Sequence, residues 1–138
     1  MTMLALVTAL VLAAIGILHV VWMFSPWPLR TREEFARLVV DVPVERLPSR
    51  PLTAAVAVAL GLAAYLVAGR ADVVGVPGPE WVPVVGTAGV AAVMLLRGAG
   101  GLAVSTRKDT GFARLDVRVY SPLCLILAAA TALVAFGG

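Results

Sequence analysis

Asp116, His19 and Arg97 are the residues with chemical reach in a chain otherwise rich in alanine, valine and leucine, and Tyr120, Ser121 and Cys124 stand near the first of them. A buried carboxylic acid can protonate an olefin or an epoxide, and a histidine or a tyrosine can relay the proton. Asp116, Tyr120 and Cys124 follow one another at four-residue intervals, which puts them on one face of a regular α-helix. Asp116, His19 and Tyr120 are therefore the candidate catalytic residues. Trp22 and Phe24 offer aromatic faces to a developing cation. Arg97 offers a guanidinium to a phosphate or carboxylate, and Ser121 and Cys124 flank the same face. These five form the candidate substrate-binding set.

Each residue also has a plainer role. His19 is equally suited to a neutral hydrogen bond between helices, and Arg97 to extending its head to the membrane surface over an apolar stem. Asp116 suits the N-cap of a fourth helix, where the helix dipole favours an anion. Tyr120 and Trp22 fit an interfacial aromatic belt, as do Trp27 and Trp81. Cys124 fits a small hydrophobe. No metal and no cofactor is expected. A lone histidine builds no His-rich site, there is no CxxC pair, and Gly98, Gly100 and Gly101 lack the strand and lysine of a phosphate loop.

The elements that carry these residues are set by composition. Only 14% of the 138 residues are charged while 61% are hydrophobic, and the mean hydropathy is +0.99. Soluble domains average about 25% charged. No charged residue occurs from Met1 to Leu29, between Arg50 and Arg70, or from Val119 to Gly138. Runs of this length match the ~20 apolar residues that carry a helix across ~30 Å of hydrocarbon. The pattern predicts an all-α fold: a single membrane domain of four transmembrane helices, at about 2–24, 51–68, 81–104 and 116–136.

Proline and glycine punctuate the spans. Ser25-Pro26-Trp27-Pro28 stops the first and Pro51 opens the second. Gly75, Pro77, Gly78 and Pro79 mark a tight second loop, and Pro122 falls in the first turns of the fourth span. In loop 1, Thr31 with Glu34 three residues on forms a capping box for a short helix from Arg32 to Val40. With Phe35, Leu38 and Val39 on one face, that helix either lies along the membrane surface or packs on the bundle as a connector. The first span has no basic n-region and no small-residue cleavage site, so it is expected to stay attached rather than act as a signal peptide. No internal repeat is convincing. Small-residue pairs such as Ala57/Gly61 and Ala128/Ala132 would let helices approach closely, but they recur by chance in so alanine-rich a chain.

The pI near 9.8 does not point to nucleic acid, because the basic residues sit in short loops between apolar spans. Loop 1 holds Arg30, Arg32, Arg37, Arg46 and Arg50. Loop 3 and its flanks hold Arg97, Arg107, Lys108, Arg114 and Arg118, and loop 2 holds only Arg70. The positive-inside rule then puts loops 1 and 3 in the cytoplasm and both termini outside, in a cell inner (plasma) membrane. That topology gathers His19, Arg97, Asp116 and Tyr120 in the cytoplasmic half. The single Cys124 excludes an internal disulfide framework.

The segments LHVVW at the end of the first span and FARLDVRVYSPLCLIL entering the fourth resemble a bacterial family of small four-helix membrane proteins catalogued only as a domain of unknown function. The resemblance rests on His19, Trp22, Phe112, Asp116, Tyr120, Ser121, Pro122, Leu123 and Cys124, and it implies no activity. A looser analogy of size, topology and chemistry, without a residue motif, is to bacterial membrane-bound terpene cyclases.

The first functional expectation is a membrane enzyme acting on a lipophilic, isoprenoid-like small molecule by acid-initiated chemistry. The alternative is a non-catalytic accessory subunit or lipid-binding protein, and a small transporter ranks third because no inverted repeat is evident. The expected partners are membrane lipid and a lipophilic substrate, with a homo-oligomer or larger membrane complex compatible with either reading.

Overall fold

The computed structural model of the chain describes residues 1–137, and among these it is all helical with no β-strand. Four helices are long and apolar enough to cross a membrane: α1 (Thr2–Trp22), α3 (Arg50–Arg70), α4 (Trp81–Ser105) and the span Gly111–Phe136. The last is composite, with α5 (Gly111–Leu115), a π-helical turn (Asp116–Tyr120) and α6 (Ser121–Phe136) running end to end. At 1.5 Å per residue, α1 and α3 are each about 31 Å long, the thickness of a bilayer core. In loop 1, α2 (Arg32–Phe35) runs into a second π-helical turn (Ala36–Val40).

The spans associate as two antiparallel pairs. α1 packs along α3, and α4 packs along α6; contacts of α3 with α4 and of α1 with α6 are fewer, and α1 scarcely meets α4. Leu12, Leu60, Val67, Leu127 and Val134 form the buried core where the pairs meet. Close approach within the first pair depends on Gly16, where an added Cβ would lie 3.3 Å from Leu60 Cβ and 3.4 Å from the Ala57 carbonyl. The small residue on which this crossing depends is thus Gly16; a Cβ added at Gly61 would meet nothing within 4 Å, so the Ala57/Gly61 pair does not set the approach. Thr87, fully buried, donates to the Leu66 carbonyl at 3.2 Å and fastens α4 to α3.

The chain runs the same course twice: a span, a Phe-Ala-Arg-Leu segment and a returning span. Phe35–Leu38 and Phe112–Leu115 lie at the same end of the bundle and pack on each other through Leu38 and Gly111. Ala36 and Ala113 are 2% and 1% exposed. This corrects the expectation of no repeat. The π-helical turns begin at different points, Ala36 and Asp116, so the halves match in course rather than in register.

Two boundaries near the site differ from those the sequence suggests, the end of the first span and the start of the fourth, while the loop 1 helix keeps its expected start. α1 ends at Trp22, so Phe24 lies beyond the helix. The loop 1 helix is N-capped by Thr31, whose hydroxyl accepts from the Glu34 N–H at 3.1 Å, the first half of the expected capping box, and it packs on the bundle as a connector. The fourth span begins five residues before Asp116, capped by the Thr110 hydroxyl, so Asp116 is not its N-cap. Trp27 and Trp81, at 62% and 61% exposed, stand outside the bundle as belt residues would.

Candidate functional site

Pro122 shapes the local backbone of the site. It has no N–H to offer the carbonyl four residues back, and its ring crowds that carbonyl. With the span starting at Gly111, Pro122 sits mid-helix, and the preceding turn opens so that the Ser121 N–H bonds the Asp116 carbonyl five residues away. One residue is thereby inserted into the helical register. Ser121, not Tyr120, comes round beside Asp116, and the face expected to carry Asp116, Tyr120 and Cys124 is broken.

Asp116 is 1% exposed and is held by two donors from the facing helix α4. Arg97 Nη2 on α4 donates to Oδ1 at 2.8 Å, and the Ser105 hydroxyl, also on α4, donates to Oδ2 at 2.5 Å. Arg97 Nη1 donates in turn to the Ser121 hydroxyl at 3.4 Å. Each carboxylate oxygen thus has one donor, the guanidinium on one side and a hydroxyl on the other. Arg97 is not simply extended to the surface; its side chain is 42% exposed and its head is fixed on Asp116. Gly101 makes room for the group, because a Cβ there would meet Ser121 Oγ and Arg97 Nη1 and lie 2.9 Å from Asp116 Oδ2. Ser105 and Gly101 are site residues that composition does not single out. Their signal was spacing: Arg97, Gly101 and Ser105 recur every four residues on one helical face.

Beside this group lies a cavity of about 860 Å³, within the range of small-molecule sites. It is open on one side and bounded by the end of α1, the loop 1 helix, the start of α3 and the last turns of α4, where the two helix pairs diverge. His19, Trp22, Phe24, Arg97 and Asp116 line it, and so do Phe35, Arg50, Gly100 and Phe112. His19 Nδ1 is 2.8 Å from the Ile15 carbonyl. A carbonyl only accepts, so Nδ1 carries the proton; Nε2 has no partner among the described residues. Trp22 packs against His19 with ring centroids 4.7 Å apart and against Phe35 at 5.0 Å, while its Nε1–H donates to the Trp27 carbonyl at 2.8 Å.

The remaining candidates lie elsewhere. Tyr120 donates to the Leu38 carbonyl at 3.1 Å and packs on Phe112, tying the two loops together instead of facing the cavity. Ser121, fully buried, sits behind Arg97, and Cys124 is partly buried off the cavity wall. The displacement of Tyr120 follows from the π-helical turn, which gives its place beside Asp116 to Ser121. Among the described residues no cluster of three or more His, Cys, Asp or Glu side chains is placed to hold a metal.

Neither the curated proteins nor the solved structures contain a match to the chain. Residues 5–131 match the family described as "Protein of unknown function (DUF3995)", and the chain belongs to that family.

Proposed function

We propose that this protein is a membrane-embedded enzyme acting on a lipophilic substrate, prenyl-like in character, whose polar end lies in the cavity beside His19. One observation carries the reading: a cavity of about 860 Å³ is lined at once by an imidazole with a free Nε2, by Trp22, Phe24 and Phe35, and by the Arg97–Asp116 pair. His19 is the proton-transfer group, since its Nε2 is open to accept or return a proton while Nδ1 is fixed by the Ile15 carbonyl. Asp116 has the role of a positioning residue. Its oxygens are engaged by Arg97 and Ser105, which suits it to aim the guanidinium rather than to release a proton. Proton transfer that starts a cyclisation of the terpene-cyclase kind would therefore fall to His19, with the aromatic walls facing the cation.

The basic loops 1 and 3 lie at the cavity end of the bundle, so the positive-inside rule supports a cytoplasmic-side cavity with both termini outside, in an inner (plasma) membrane. A second reading, a non-catalytic lipid-binding protein or accessory subunit, is favoured by one fact: the Arg97–Asp116–Ser105–Ser121 group is complete without any ligand.

The two readings separate on His19→Ala. Membrane lipids from cells making the wild type and this variant are compared by mass spectrometry. The enzyme reading expects one lipophilic species to accumulate with the variant and its product to vanish. Identical lipid profiles, with equal amounts of folded protein, leave the non-catalytic reading.

A further inference from the structure

The cavity wall carries more cationic charge than the Arg97–Asp116 pair consumes. Arg32, Arg50 and Arg97 line it against the single carboxylate of Asp116, and among the described residues neither Arg32 nor Arg50 is in a salt bridge. Arg50 is also held in place. Its Nε donates to the Met23 carbonyl at 3.0 Å, and its guanidinium carbon sits 5.6 Å from the centre of the Phe24 ring. These contacts leave the Nη edge without a carboxylate and reduce the entropy lost when an anion binds. At the same time Leu52, Val56 and Val104 line the cavity while being 57%, 40% and 54% exposed. On a span this apolar, such exposure is toward lipid, so the cavity has an open apolar flank as well as a cationic end.

We infer that the cavity takes a lipid bearing a phosphate head, the head between Arg32 and Arg50 and the hydrocarbon tail along Leu52, Val56 and Val104. This rests on the lipophilic-substrate reading above and names the class of substrate. The charge excess favours phosphate over carboxylate. A phosphate monoester brings about −1.5 to −2 charges and three acceptor oxygens near neutral pH, enough for two guanidinium groups, where a carboxylate brings only one charge. The apolar flank favours a lipid over a free phosphate, which would leave those side chains without a partner.

The test is binding by native mass spectrometry, with protein purified in a neutral detergent and three probes: geranylgeranyl phosphate, geranylgeraniol and inorganic phosphate. The expected result is that the phosphate lipid binds the wild type at least about tenfold tighter than the alcohol. The paired substitution Arg32→Gln with Arg50→Gln removes that advantage while the alcohol still binds, which also reports that the variant is folded. Equal affinity of the wild type for alcohol and phosphate lipid overturns the head-group assignment and leaves the lipophilic reading standing. No binding of either lipid overturns both. Displacement of the lipid by inorganic phosphate at equal concentration makes a soluble anion the occupant and overturns the lipid assignment.

Discussion

Ser121 follows Asp116 by five residues, and the π-helical turn between them brings both side chains to the same guanidinium: Arg97 donates to Asp116 at 2.8 Å and to Ser121 at 3.4 Å. In an unbroken α-helix Tyr120 would have stood there instead. The site is thus a consequence of where proline sits in the fourth span.

Replacing one partner of the Arg97–Asp116 pair should cost more than replacing both. Arg97→Leu leaves Asp116 buried with only Ser105 for company. A loss of about 2 kcal/mol is expected, below the ~3–5 kcal/mol of a fully buried pair because Arg97 is itself half-exposed. Adding Asp116→Leu should recover most of it. Thermal midpoints of the single and double variants in detergent, at one scan rate, check this. Equal and additive losses would show that the two residues do not act as a pair.

Gly100 and Gly101 are adjacent and should respond oppositely. A Cβ on Gly101 runs into the Arg97, Ser121 and Asp116 side chains, whereas one on Gly100 meets nothing within 4 Å. Gly101→Ala should destabilise by about 1–3 kcal/mol through overpacking, while Gly100→Ala should be neutral or gain about 0.5–1 kcal/mol from helix propensity. The same thermal comparison distinguishes them, and matching effects at the two positions would contradict the packing described.

Tyr120→Phe removes only the bond to the Leu38 carbonyl. The expected cost is about 1 kcal/mol of stability, with no change in how the cavity binds a lipophilic probe. A large loss of binding from this substitution would return Tyr120 to the site.

The four spans were legible because membrane crossing writes itself into composition: uncharged runs of about twenty residues have few other physical solutions. His19, Trp22 and Arg97 were legible for a related reason, since polar and interfacial groups are rare in such runs. Tyr120 was misplaced by a single register step, which sets Ser121 beside Asp116 in its stead. The fourth span was expected to begin at Asp116, which put Pro122 in a harmless first turn. It begins at Gly111, where the same proline must open a helix already under way. Ser105 went unnoticed, and Gly101 stood only as one of three packing or bending glycines, because a serine at a helix end and a glycine in a glycine-rich stretch are ordinary until a partner helix is laid against them. The repeat was hidden because four matching residues are few, and because loop 1 interrupts its half with Asp41, in the left-handed region at φ 64°, and Pro43.

The central claim is that the cavity by His19 holds a lipophilic molecule, and Gly100→Leu tests it most directly. Gly100 lines the cavity with open space before it, so leucine there projects into the cavity and narrows it beside Arg97 without disturbing the fold. Gly89→Leu, at an open position off the cavity wall, is the control. The measurement is the site of labelling by a photoreactive prenyl lipid added to the detergent-purified proteins. In the wild type and Gly89→Leu, labelling should concentrate on peptides from the start of α3 and the end of α4, and Gly100→Leu should abolish it. Labelling spread evenly over the outer faces of all four spans, and unchanged by Gly100→Leu, would contradict the account.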